Sequence, residues 1–90
     1  MGRLATEQGD ATAQYNLGIM YHDGLGVPQN YAEAVKWFRL AADQGHAGAQ
    51  YNLGVMYFKG DGVPREYVQS LMWGMRALTA FIFRVLGVGA

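Results

Sequence analysis

The chain has no cysteine among its 90 residues, one serine, two histidines and two prolines, and its seven basic and seven acidic side chains cancel to a formal charge of zero. Each scarcity removes a class of chemistry. Without cysteine there is no disulfide framework, no thiolate nucleophile and no sulfur ligand for zinc, and the compartment is left open because either redox environment suits such a chain. Ser70 has no histidine or acidic neighbour in sequence to suggest a triad. Charged residues make up 16% and are balanced, so no basic stripe is available for nucleic acid or an anionic membrane, and neither partner is expected. Long hydrophobic runs are missing too. The most apolar segment, residues 77–90, is broken by Arg84 and falls short of the roughly 20 residues that a membrane-spanning helix needs. The opening MGRLATEQGDATAQ has no apolar centre, so no secretory signal is expected within this sequence.

What is present is repetition. Residues 11–31, ATAQYNLGIMYHDGLGVPQNY, return at 47–67 as AGAQYNLGVMYFKGDGVPREY, displaced by 36 positions and identical at 14 of 21. Two helix-sized blocks around a glycine-rich turn, at this period, mark an array whose units bury their apolar faces on one another. Residues 3–9, RLATEQG, match 39–45, RLAADQG, at five of seven positions with the same displacement, so the chain opens on the last turns of an incomplete unit. Ninety residues make one domain at most. At that size a chain buries a lower fraction of its surface than a larger domain does, and an additional interface is expected to matter.

Asp10 is a good N-cap, and a first helix is expected from Ala11 to about His22, with Ala13, Leu17, Met20 and Tyr21 as its buried stripe. Gly18 on that stripe reads as a point of close helix approach. Gly24, Gly26 and Pro28 make the turn, and Asn30 with Glu33 reads as an N-cap with a capping-box partner for a second helix from Tyr31 to about Gln44. Ala34, Trp37, Phe38, Ala41 and Ala42 supply its apolar face. The third helix is expected from Ala47 to about Phe58.

After the second turn the correspondence fails. Glu66 stands for Asn30, Gly74 stands for Phe38, and the polar end of the unit becomes LTAFIFRVLGVGA. The last helix either continues to about Leu86 or the tail folds separately. A terminal repeat is normally polar on its outer face. This one carries Leu78, Phe81, Ile82, Phe83, Val85, Leu86 and Val88, so the tail is expected to be covered, and a second copy of the chain is the favoured cover, with Leu78, Phe81, Ile82, Val85 and Leu86 as contact residues. The domain plan is thus the end of a partial unit over 1–9, repeats over 11–46 and 47–78, and an apolar helical extension over 79–90.

Other signals are weaker. His22 and His46 have no acidic or sulfur partners at metal-ligand spacing, so no metal site is expected. The glycine pairs of the turns follow no strand and lack the GK[ST] ending of a phosphate loop. Met20, Met56, Trp37 and Trp73 recur with the repeat, which marks them as core rather than as a cofactor pocket, and no cofactor is expected.

The string AxAQYNLGxMYxxGxGVPxxY, followed by Trp and a pair of alanines, closely resembles the Sel1-like repeat, a relative of the tetratricopeptide repeat. The resemblance covers residues 3 to about 78. It implies an all-α fold, an α/α superhelical solenoid of about two repeats plus a partial N-terminal one, with first helices lining a concave face and second helices forming the outer wall. It also implies a non-enzymatic adaptor for a protein or peptide, of the kind common in bacterial signalling, envelope and quality-control settings. The tetratricopeptide pattern, placed on this chain, selects Thr12, Tyr15, Asn16, Ile19, His22 and Asp23, and in the second unit Gly48, Tyr51, Asn52, Val55, Phe58 and Lys59. These positions follow helical spacing on a face beside the apolar stripe. Tyr15, Asn16, Ile19, His22, Tyr51, Asn52, Val55, Phe58 and Lys59 are therefore the candidate partner-binding residues. The alternative is a self-assembling homodimeric module, with an exchanged C-terminal helix and no free groove.

Overall fold

The computed structural model describes residues 9–87, so the incomplete unit expected over 1–9 lies outside them except for Gly9, as does Val88. Among these residues the chain forms four helices, α1 (Ala11–Asp23), α2 (Tyr31–Asp43), α3 (Ala47–Lys59) and α4 (Tyr67–Leu86), and no strand. Each helix packs on the next in sequence, α1 on α2, α2 on α3 and α3 on α4. Short connections make successive neighbours run up and down, and the stack measures 38 × 33 × 17 Å, a slab no more than about two helix diameters thick.

The helix starts are set by local chemistry. Asp10 Oδ1 accepts from the Ala13 amide at 2.8 Å, and Asn30 Oδ1 accepts from the Glu33 amide at 3.0 Å. The reciprocal half of the expected capping box is not made. The Asn30 amide instead donates to Tyr21 O at 2.8 Å, tying the turn back onto α1, and Glu33 pairs with Lys36 at 2.9 Å. The second unit's first helix has a different cap: His46 Nδ1 accepts from the Ala49 amide at 3.1 Å. Gly62, in the second turn, has φ +74°, and a Cβ there would stand 2.6 Å from the Tyr31 carbonyl, so this turn presses on the start of α2.

Burial depends on position in the stack more than on residue type. Ala49, Leu53 and Met56 of α3 are fully buried, whereas their counterparts Ala13, Leu17 and Met20 of α1 are only half-buried, and Tyr21 with them. The α3 residues have α2 on one side and α4 on the other, whereas α1 packs closely on α2 and touches α3 at Tyr15 and Gly48. The buried line of α1 is Gln14 and Gly18. On α2 the fully enclosed side chain is Phe38, with Ala34, Ala41 and Ala42 beside it and Val35 nearly so, while Trp37 is half-buried. Phe38 lies over Gly18, where a Cβ would meet the ring at 2.6 Å. The glycine expected to admit a close neighbour admits this ring.

The last helix runs without interruption to Leu86. Its single buried residue is Trp73, with Arg76 stacked over the indole at 4.5 Å. The remaining turns of α4 reach past α3 and carry Leu78, Phe81, Ile82, Phe83, Val85 and Leu86 in exposed positions. Apolar as α4 is, no described helix is both long and apolar enough to cross a membrane.

Candidate protein-binding surface

The repeat sets two nearly identical first helices side by side, and what faces outward between them is a cleft. Its volume is about 320 Å³. The α1 wall is Tyr15, Ile19, His22 and Asp23, and the α3 wall is Tyr51, Asn52, Val55, Met56 and Lys59. Within the walls Tyr15, Ile19 and His22, like Tyr51, Val55 and Lys59 or Asn52, Met56 and Lys59, stand three or four apart and so neighbour one another along the helix surface.

Seven of the nine candidate residues meet here. Asn16 does not: it is exposed and off the cleft. Phe58 faces the other way, into a second cavity between α3 and α4. Two residues not among the nine complete the lining, Met56 as part of the floor and Asp23 at the end. Asp23 belongs to the wider ligand-facing set that the tetratricopeptide pattern selects.

The walls are held from behind. Tyr15 stacks on His46 with ring centroids 4.4 Å apart and leans on Phe38 at 5.7 Å. His46 thus serves twice, as the cap of α3 and as the support of Tyr15, a role that sequence spacing gave no sign of. His22 lies 5.1 Å from the Tyr31 ring, and its Nδ1 is 2.6 Å from Asp23 Oδ1. Two glutamines behind the walls are buried, as the recurring AxAQ did not reveal. Gln44 donates to Gln14 Oε1 at 2.8 Å, and Gln50 Nε2 donates to the Ala42 carbonyl at 3.1 Å, which locks α3 to the end of α2. Arg39 of α2 donates to the Tyr57 hydroxyl and covers its ring at 5.7 Å, fixing the far side of α3.

Charge in the cleft is confined to one end and paired there, His22 with Asp23 and Lys59 with Asp61 at 3.4 Å. Elsewhere the lining consists of aromatic, aliphatic and amide groups. Among the described residues no three or more histidine or acidic side chains gather as a metal site would require. Such a surface offers contact area and directional hydrogen bonds from Asn52 and the tyrosine hydroxyls.

Comparison with known proteins follows the same lines. The family model described as Sel1 repeat matches residues 11–46 and again 47–77. A sel1-like repeat-containing protein of Acanthamoeba polyphaga mimivirus is 49% identical over 35 residues, 39% of this chain and 6% of its own length. The DAP3-binding cell death enhancer 1 of Rattus norvegicus is 47% identical over 36 residues, 40% of this chain and 7% of its own. Among solved structures, a Sel1 repeat protein from Oxalobacter formigenes superposes with a TM-score of 0.83 at 45% identity, over 84% of this chain and 31% of that one. A protective antigen of uropathogenic Escherichia coli displaying an SLR fold gives 0.84 at 47% identity, over 87% of this chain and 17% of that one. The chain therefore spans a small part of the length of each of these relatives.

Proposed function

The chain belongs to the Sel1 repeat family, whose members are in general protein–protein interaction modules, and on that premise we propose that it binds an extended segment of another protein in the cleft between α1 and α3. What supports this reading is the character of that cleft: two repeat-related helix faces pair a tyrosine ladder, Tyr15 and Tyr51, with the amide of Asn52. Tyrosine gives a large contact at low entropy cost, and a side-chain amide can both donate to and accept from a peptide backbone. The Sel1 repeat is a scaffold in most settings, and the reading assigns no catalytic role.

The test begins with a displayed peptide library selected against the folded chain. Asn52→Ala is expected to weaken the selected peptides about fivefold, the cost of about 1 kcal/mol for one lost hydrogen bond. Asn16→Ala, off the cleft, is expected to leave their affinity unchanged. Peptides that bind equally well to the Asn52→Ala and Tyr51→Ala proteins would place the binding surface elsewhere. Because the charged groups of the cleft stand at one end only and Lys59 is paired with Asp61, affinity should change less than about threefold between low and high salt. A steep salt dependence in titration calorimetry would contradict that.

A further inference from the structure

A second cavity, of about 360 Å³, lies between α3 and α4, and Gly54, Phe58, Ser70 and Gly74 are among its lining residues. Its shape has an explanation within the molecule. Thirty-six residues earlier the same walls are Tyr15, Gly18 and His22, and they enclose the ring of Phe38, which is fully buried. In the second unit those walls recur as Tyr51, Gly54 and Phe58, all lining the cavity, while the position of Phe38 is held by Gly74. A Cβ at Gly74 would meet nothing within 4 Å. The phenyl ring that closes the first unit is thus missing from the second, where the α4 backbone lies against Gly54 and the cavity stays open beside it.

A phenyl ring stands close by on the same face. Phe81 is seven residues from Gly74, two helical turns or about 10.5 Å along α4, and it is 57% exposed. At 100° per residue Ser70, Gly74 and Phe81 share one side of the helix, and Phe83 lies on another. A helix carrying a hole and a knob on one face, two turns apart, is self-complementary under a twofold axis midway between them. The up-and-down stack fits this, because the position after α4 calls for a helix antiparallel to it, and a twofold-related α4 is antiparallel.

We propose that the chain forms a homodimer in which Phe81 of each copy fills the cavity at Gly74 of the other. The axis passes beside Leu78, and Val85 of one copy then covers Ser70 of its mate. This contact uses the α3–α4 groove, which shares Tyr51, Val55 and Lys59 with the α1–α3 cleft, and Asn52, which lines the cleft alone, separates it from the peptide-binding reading.

Sedimentation equilibrium of the whole chain over a concentration series is the test. The wild-type mass is expected to rise from 9.9 kDa toward twice that value, while Phe81→Ala and Gly74→Phe hold at 9.9 kDa over the same range. Gly74→Phe fills the cavity from within, from the position that Phe38 holds in the first unit, and Phe81→Ala alters an exposed side chain. Circular dichroism checks that both remain helical, and should Gly74→Phe not fold, Phe81→Ala decides alone. In the cysteine-free background, Leu78→Cys is expected to give a disulfide-linked dimer under mild oxidation, since identical residues near a twofold axis face each other. Asn52→Ala should leave association unchanged. A wild-type chain that stays at one mass overturns the proposal, and so does a dimer that survives Phe81→Ala or Gly74→Phe. Uptake of N-acetylphenylalaninamide by a monomeric chain, seen as amide shifts at Gly54 and Ser70, would overturn it in favour of an aromatic residue from a different protein.

Discussion

Three helix-interior glycines carry opposite messages. Gly18 and Gly54 sit at equivalent positions and are both buried, but Gly18 faces a ring whereas Gly54 faces backbone, with the Ser70 carbonyl 3.1 Å and the Gly74 amide 3.3 Å from where its Cβ would be. Alanine at Gly54 would have to push two helices apart, since neither neighbour is the end of a flexible side chain. Gly54→Ala is therefore expected to destabilise the chain by about 1–3 kcal/mol, the usual cost of overpacking. Gly74→Ala is expected to do the reverse, adding about 0.5–1 kcal/mol, because its Cβ enters open space and the helix loses its most flexible residue. Urea unfolding of the two variants checks both signs at once. The same residue type thus marks a tight contact at one site and a missing side chain at the other.

At the level of the helix, α1 and α3 repeat a sequence yet start differently. Asp10 caps α1 with a carboxylate, and His46 caps α3 with a ring nitrogen while its face supports Tyr15. His46→Ala removes both, and thermal unfolding should report a loss of about 1 kcal/mol or more, at least that of an ordinary cap. Asp10→Ala should lose the cap alone. The C-terminal half of α4 is a different case. Residues 81–86 are all exposed, so amide exchange is expected to be fastest there among the four helices in the monomer, and Ile82→Glu should leave the unfolding midpoint of the monomer within measurement error. A drop in stability on Ile82→Glu would mean that the helix end is covered within the chain itself.

For the whole molecule, the core belongs to the junctions between helices and not to either repeat. Phe38, Ala41, Ala42, Ala49, Leu53 and Met56 form one cluster that crosses from α2 to α3, and Gln50 fastens the same seam. Cutting the chain after His46 would strip one side of α2. The fragment 1–46 is therefore expected to show weak helical circular dichroism and no cooperative unfolding, while the full chain unfolds cooperatively. An independently folded fragment would mean that one unit suffices. The uneven burial of equivalent residues, half-covered in α1 and fully enclosed in α3, follows from the same dependence on neighbours.

By itself the sequence determined the helices, their order and, to within a residue or so, the ends of the first three, because these depend on short-range chemistry: apolar spacing, N-caps at Asp10 and Asn30, and glycine with proline in the turns; it left open whether the last helix runs on to Leu86. The resemblance to the tetratricopeptide pattern singled out Tyr15, Ile19, His22, Tyr51, Asn52, Val55 and Lys59, and helical spacing agreed with that choice, since a helical face can be counted along one chain. Only the tertiary structure decided that Asn16 stands clear of the cleft, that Phe58 turns toward α4, and that Phe38 rather than Trp37 is enclosed. It alone disclosed the paired roles of His46, Gln14 and Gln50. The physical reason is common to all of them: a side chain's burial and hydrogen-bond partners are set by helices distant in sequence, and a periodic pattern says which residues share a face but not what is packed against it.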